Sequence, residues 1–314
     1  MPSSKSVDVS VVIPSVGRPE LRRAVESVLA QKYAGRTELI VVFDLDESIA
    51  NVEMLDSAAG ADRILFTGGG KRGGFARNLG VRAANGHWIA FLDDDDTWFP
   101  DKLRLQLSAA ARQPTESPIV IGSRAVQTLT GSTGISKITG VPQRLISADE
   151  DIAAYLFRRR RAGSRRASFF ASTVLVPRSL CLRVPWDETL SRHQDWDWLV
   201  RVGEQPGVKF HQVNEDLVDI FVGTTGSISA GSDWTTSLAW ARTALVGLDP
   251  QTRVDFLAGQ TLRYAVQKRD LAGIRASVRE MAKIRRLPSP SPLLLGVSGL
   301  LPRKSLQSLM RVFK

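Results

Sequence analysis

The chain has 314 residues, 43% of them hydrophobic, a length that suits one large domain or a domain with an appendage. Its one cysteine, Cys181, excludes an internal disulfide, and three scattered histidines argue against a zinc site. The formal net charge is +10, but residues 251–314 hold 13 Lys/Arg against 3 Asp/Glu while residues 1–250 hold 29 of each. The basicity therefore belongs to the C-terminal part, which is expected to meet an anionic surface. No stretch is apolar for long enough to span a bilayer, and residues 1–6 lack the apolar core of a signal peptide. The expected location is the cytoplasm, with peripheral attachment at the inner face of the membrane.

Residues 7–13 read as a strand, and 14–18, Pro-Ser-Val-Gly-Arg, as the loop after it. Leu21, Ala24, Val25, Val28 and Leu29 recur with helical period, so an amphipathic helix follows. Residues 38–43 are a second strand that ends in acids, Asp44-Leu-Asp-Glu47. A weakly patterned helix over 50–59 and a short strand over 63–66 come next. Gly68-Gly-Gly-Lys-Arg-Gly-Gly74 leads into a helix expected over 75–84. Its glycines allow close approach of a ligand, and Lys71 and Arg72 add positive charge, a combination suited to a diphosphate. The spacing is neither a P-loop nor a dinucleotide fingerprint.

Residues 88–92 form an apolar strand that runs into four carboxylates, Asp93 to Asp96, before a helix over 100–112. Four acids at a strand end repel one another unless positive charge sits among them, and oxygen donors suit Mg²⁺ or Mn²⁺. The carboxyl ends of parallel strands are where open α/β sheets bind ligands. The alternation of strands and helices through residue 112 predicts a doubly wound, mostly parallel sheet.

Six segments in this order resemble the family-two glycosyltransferases, whose nucleotide-sugar fold is called GT-A. They are Val11-Val-Ile-Pro-Ser15, Ala24-Val-Glu-Ser-Val-Leu-Ala-Gln31, Glu38-Leu-Ile-Val-Val42 with Asp44, Ala76-Arg-Asn-Leu-Gly80, Ala84-Asn-Gly86 and Phe91-Leu-Asp-Asp-Asp-Asp96. The resemblance covers residues 7–225. It implies that Pro14, Ser15, Val16, Gly17 and Arg18 line the base and ribose, and that Arg72 and Arg77 lie near the phosphates. It also implies that Asp93, Asp94 and Asp95 form a DxD-type site, with Asp95 and Asp93 as metal ligands and Asp94 facing ribose or sugar. Asp44 would read the base edge. However, Phe43-Asp-Leu-Asp-Glu-Ser48 departs from the family's Asp-Asp-Gly-Ser, so Asp44 and Asp46 both remain candidates.

Strands are expected over 118–126 and, beyond a turn at 131–134, in a second run; a short helix over 149–157; and a strand over 172–176. Residues 158–166 hold six arginines, read as a solvated loop or a contact for an anionic acceptor through Arg165 and Arg166. In the resembled family an acidic pair opens a helix and its second member is the base. Gln194-Asp195 stands there, so Asp195 is the expected general base, with Gln194 and Trp196 beside the acceptor. Asp197 competes, but two residues on it points elsewhere. Trp198, His193 and His211 are read as structural.

Two strands over 208–212 and 217–222 close the sheet. In the resembled family the segment that follows closes over the diphosphate, which implies weak contacts from Thr225 and Ser227 in this loop. Helices are expected over 232–248, 251–267, 271–284 and 305–313, with Pro288, Pro290 and Pro292 as a stiff linker. The last helix, with Leu306, Leu309, Met310, Phe313, Arg311 and Lys314, has the pattern of a basic amphipathic segment for an anionic membrane, for packing or for self-association into a homo-oligomer.

The sequence thus predicts an α/β GT-A domain at 1–230, with a nucleotide-sugar half at 1–112 and an acceptor half at 113–230, and a basic helical region at 231–314. The resemblance implies an inverting, Mn²⁺- or Mg²⁺-dependent transferase. UDP is the expected carrier, dTDP and GDP the alternatives. The acceptor is a glycan, a lipid-linked species or a polyol-phosphate polymer. A metal-dependent nucleotidyltransferase shares the fold but needs no base at Asp195. Nucleic acid is not an expected partner, because basic charge is present without a recognised module.

Overall fold

The computed structural model describes residues 7–113, 117–131, 134–158, 167–223 and 231–298. Arg165, Arg166, Thr225, Ser227 and the expected helix over 305–313 lie outside the described residues. Two compact units are present: Met1–Asp149 with Ser168–Ser227, and Glu150–Ala167 with Ile228–Lys314. Glu150–Ala167, placed by the sequence in the acceptor half, thus groups with the C-terminal helices.

The first unit opens with β1 (Val9–Ser15), α1 (Leu21–Leu29), β2 (Thr37–Phe43), α2 (Val52–Ser57), β3 (Arg63–Phe66), α3 (Arg72–Ala83) and β4 (Trp88–Phe91). After them come β5 (Thr97–Trp98), α4 (Lys102–Ala111), β6 (Ile119–Gly131) and β7 (Gly134–Val141). Beyond residue 167 come β8 (Leu175–Pro177), α6 (Arg178–Arg183), α7 (Gln194–Gly203) and β9 (Lys209–Val222). Among the described residues these strands make one sheet in the order β3-β2-β1-β4-β8-β6-β9-β5, with β7 on β6. The pairings β3-β2, β2-β1, β1-β4 and β6-β9 are parallel; β4-β8, β8-β6, β9-β5 and β6-β7 are antiparallel. The parallel run is where the alternating pattern puts it, and β1 and β2 are buried on both faces, as near-continuous Val/Ile runs require.

On α1, Leu21, Ala24, Val25 and Val28 are buried as the period predicts, but Leu29 is 57% exposed, at the edge of the stripe. Helix α3 begins three residues before its expected start, because the backbone N–H groups of Lys71 and Arg72 find a carboxylate partner in Asp44. The two strands expected over 208–222 are one, β9, whose pairing with β6 shifts register between Ser123 and Ala125. The strand expected over 172–176 is a 3₁₀ turn, Ala171–Thr173, followed by β8. Under the sheet, Trp186 and Trp198 stack at 4.8 Å, and Phe91 meets both edge-on.

The second unit holds α5 (Ile152–Phe157), α8 (Trp234–Ala244), a helix built of α9 (Pro250–Phe256), a π-helical turn (Leu257–Leu262) and α10 (Arg263–Gln267), then α11 (Leu271–Ile284) and α12 (Pro290–Val297). Phe157, Trp240 and Phe256 form an aromatic cluster with centroids 5.0 to 6.1 Å apart. Asp233, Asp249 and Asp270 cap α8, α9 and α11. The proline linker is corrected: Pro290 and Pro292 sit in the first turn of α12, where a missing N–H costs nothing.

Candidate active site

The carboxyl ends of β1, β2 and β4 lie side by side in parallel register, which brings three loops together. At the end of β4 each of the four acids has its own partner. The Asp93 carboxylate accepts from Arg77 Nη2 at 2.6 Å. Asp94 accepts from the Ser15 hydroxyl at 2.7 Å and the Val16 N–H at 3.4 Å, with Arg18 3.6 Å away. Asp95 accepts from Arg18 Nη1 at 3.0 Å. Asp96 is buried and accepts from the Ser172 hydroxyl at 2.5 Å and the Phe221 N–H at 3.1 Å. Two arginines thus supply the positive charge that the acid run demands.

The loop after β1 is tied to these acids. Pro14 and Ser15 end the strand, Val16 is half exposed, and Gly17 has φ +82° with the Met54 side chain against it, a backbone shape that needs glycine. Asp44 accepts from the Thr67 hydroxyl at 2.6 Å and from the N–H groups of Lys71 and Arg72 at 2.7 and 2.6 Å. It therefore fastens the glycine loop, in which Gly68, Gly69 and Gly70 all have positive φ. Asp46 is exposed and caps a 3₁₀ turn through the Ser48 N–H at 2.9 Å and hydroxyl at 2.6 Å, bonds that lower its pKa. Arg72 itself is exposed and donates to the Thr189 carbonyl at 3.1 Å.

Arg77 is the centre of the arrangement. It is buried, rests on the face of Trp186 at 4.7 Å, and donates to Asp93 and, at 3.2 Å, to Gln194 Oε1. Burial works against its charge, but Asp93, Asp195 and Asp94 outweigh that and raise its pKa. Asp195 opens α7 next to it. Burial pushes the Asp195 carboxyl up; Arg77 and the N–H of Ala171 oppose this, Asp93 adds to it, and the result is about 6. Burial also lifts Asp94 to about 6, against the pull of Ser15 and Arg18, with Asp95 and Asp93 adding to the rise. Asp96 is raised well above the usual range by burial and by Asp93 and Asp95. Asp197, the rival candidate, is buried in an ion pair with Arg201 at 2.7 Å. Trp198 is fully buried, whereas Trp196 is half-buried and stacks on His193 at 4.7 Å. His193 caps α7 with a left-handed φ of 63°.

One organising element escaped the sequence reading. In the turn Ala171–Thr173, the Ala171 N–H reaches Asp195, while the Ser172 hydroxyl donates to Asp96 and accepts from the Asp93 N–H at 3.1 Å. The Ser172 carbonyl accepts from Trp98 Nε1 at 2.9 Å, and buried Lys102 sits 3.9 Å over the Trp98 ring. Nothing in the pattern of residues 168–177 marks Ser172, since its partners lie 76 and 79 positions away.

Among the described residues no three His, Cys, Asp or Glu side chains form a cage for a metal. The fit to a divalent ion is of another kind. Asp93 and Asp95 are hard oxygen donors whose side chains are 36% and 16% exposed, so one or two carboxylates are accessible and diphosphate oxygens and waters would complete the shell. The arrangement offers charge neutralisation at the strand ends and a raised carboxylate for proton transfer beside them.

Residues 10–155 match the family model described as glycosyl transferase family 2. The chain is 27% identical, over 75% of its length and 77% of the other protein, to the amylovoran biosynthesis glycosyltransferase AmsB of Erwinia amylovora. It is 34% identical over 101 residues to the UDP-Glc:alpha-D-GlcNAc-diphosphoundecaprenol beta-1,3-glucosyltransferase WfgD of Escherichia coli, which is 32% of this chain and 40% of that one. Among solved structures, S. aureus TarS 1-349 in complex with UDP-GlcNAc superposes with a TM-score of 0.60 at 14% identity, over 98% of this chain and 88% of that one, a likeness of fold.

Proposed function

We propose, for a chain that carries a glycosyl transferase family 2 domain at residues 10–155 and is a glycosyltransferase, that it moves a sugar from a UDP-sugar to a hydroxyl of a lipid-linked glycan in polysaccharide synthesis, with inversion. The observation that carries this reading is Arg77, shared between the acidic turn at Asp93 and the raised carboxyl of Asp195. The names of the relatives support the substrate class: one builds amylovoran, and one takes glucose from UDP to a diphosphoundecaprenol acceptor.

In this reading, the loop at Pro14, Ser15, Val16, Gly17 and Arg18 borders the nucleoside, and Asp44 or Asp46 reads the base. Asp44 already holds the glycine loop, which leaves Asp46 the freer of the two. The diphosphate lies against the acidic turn, where Asp95 and Asp93 would hold Mg²⁺ or Mn²⁺; that ion supplies Lewis-acid neutralisation of the leaving group. Arg18 and Arg77, now paired with Asp95 and Asp93, are the protein's own cations facing the same charge. Asp195 accepts the proton of the acceptor hydroxyl. The acceptor oxygen bonds to the anomeric carbon as the bond to the diphosphate breaks on the opposite face, and the electron pair leaves with UDP. A pKa of about 6 suits a base that works near neutrality. A nucleotidyltransferase would leave Asp195 without a task.

Calorimetric titration of UDP with and without Mn²⁺, on wild type and Asp95→Ala, tests the donor site. Metal-dependent binding that the substitution abolishes is the expected result. Absence of binding for UDP, dTDP and GDP alike overturns the reading. Transfer assays with UDP-sugars and anomeric analysis of the product then test inversion.

A further inference from the structure

We propose that the second unit docks on an anionic lipid surface through the outer faces of α11 and α12 and the residues that join them. Three acids occur beyond residue 250, and all are consumed inside the fold. Buried Asp255 accepts from the Ser289 N–H at 2.7 Å and hydroxyl at 2.8 Å. Asp270 accepts from the Gly273 N–H and from Trp234 Nε1. Glu280 binds Arg242 and Lys283. Arg275, Arg279, Arg285 and Arg286 are exposed and have no acidic partner among the described residues.

The same elements also carry exposed apolar side chains. Leu271 and Val278 stand on the outer face of α11, Leu287 is 87% exposed in the connection, and Leu293, Leu294 and Val297 face outward from α12. The helices cannot roll to hide them. A methyl at Gly273 would meet the Trp234 ring at 2.6 Å, and one at Gly296 would meet the Ala258 carbonyl oxygen at 2.5 Å, so each glycine presses its helix against a neighbour. Gly273, Ser277 and Met281 are buried at four-residue spacing, which fixes which face of α11 is outermost.

Leu271, Arg275, Val278 and Arg279 share the exposed face of α11, and Arg285, Arg286 and Leu287 are exposed just after it. Basic and apolar side chains interleaved in this way fit a bilayer with anionic headgroups, where arginines meet phosphate while leucines enter the boundary below it. A second copy of this chain fits poorly, because it would set the same unmatched cations face to face. Nucleic acid would leave the leucines in water. Docking also explains how an enzyme of this kind meets a lipid-linked acceptor. That purpose rests on the function proposed above; the docking itself is read without donor or acceptor.

The experiment is co-sedimentation of the full chain with vesicles of phosphatidylcholine alone and of phosphatidylcholine with phosphatidylglycerol. Binding to the anionic vesicles only, falling with added salt, is expected. Arg285→Glu with Arg286→Glu should weaken it by about tenfold or more. Leu293→Asn with Leu294→Asn should weaken it at every salt concentration, and neither pair should alter UDP affinity. Vesicle binding unchanged by both pairs overturns the proposal, as does a dimer in light scattering that the leucine pair dissolves. Vesicle binding through this face without transfer to any lipid-linked acceptor would defeat the acceptor reading and leave the docking standing.

Discussion

The two units handle charge in opposite ways. At the end of β4, four carboxylates in a row are each met inside the protein by Arg77, Arg18, Ser15 or Ser172. Along α11 and the connection after it, arginines face outward and the available acids are turned inward. Charge that is matched and buried marks a place where an incoming group must take over an existing partnership. Charge that is unmatched and exposed marks a surface whose counterpart is another body. The first makes a site sensitive to every member; the second tolerates loss of any one cation until the partner is present.

The contrast can be broken most severely at Asp195, the proposed base. Asp195→Asn should lower kcat by about 10²–10⁴-fold with UDP affinity little changed, read by steady-state transfer and calorimetry. Comparable turnover in the variant would move the base elsewhere. Next is Arg77→Met, which leaves Asp93 and Asp195 uncompensated and should destabilise the free protein by about 3–5 kcal/mol in urea unfolding. Adding Asp93→Asn should recover part of that loss, since one of the stranded charges disappears; strict additivity would show that the pair is not coupled.

Acidity sharpens the same contrast. Asp94 and Asp195 are both held at about 6, so kcat/KM should rise with pH through about 6 along a limb steeper than one proton. Folding favours their protonated forms. Their contribution to stability is therefore full below the ordinary carboxylate range and is lost as pH rises through about 6. Melting of the ligand-free protein should register that loss over the same interval, and UDP with Mn²⁺ should offset it. A melting profile between pH 4 and 7 whose slope is unchanged by Asp94→Asn with Asp195→Asn would contradict the crowded acids. Ser172→Ala should cost about 1–3 kcal/mol, because buried Asp96 loses a donor. The smallest effect belongs to the other unit: Arg285→Ala should change unfolding stability by less than about 0.5 kcal/mol, since no partner is lost.

Where the chemistry is local in sequence, the chain could be read directly. Helix α11 has the boundaries that its period and its Asp270 cap dictate. The run β1 to β4 follows from alternating apolar segments, and the four acids announce themselves by lying together. Asp195 was a candidate only through the resemblance, and its raised carboxyl arises from burial and from Asp93, more than a hundred residues upstream, against the pull of Arg77. The α12 helix was hidden because its prolines, read as a linker, occupy the turn in which they do not break a helix. Asp44 carries three hydrogen bonds to a loop more than twenty residues away, and no spacing rule counts such bonds. The bearing of Ser172 on Asp96 exists only once β8 has been laid beside β4.

The short turn at Ala171–Thr173 has a consequence for grafting. A chimera that took residues 1–112 from a relative would import its own acid run, yet the hydroxyl that steadies that run and the N–H that reaches Asp195 would stay behind with the host. Such an exchange should succeed between parents that both carry a hydroxyl at the position of Ser172. Between parents that differ there, the two halves would arrive folded but out of step, and restoring that single side chain should revive the hybrid.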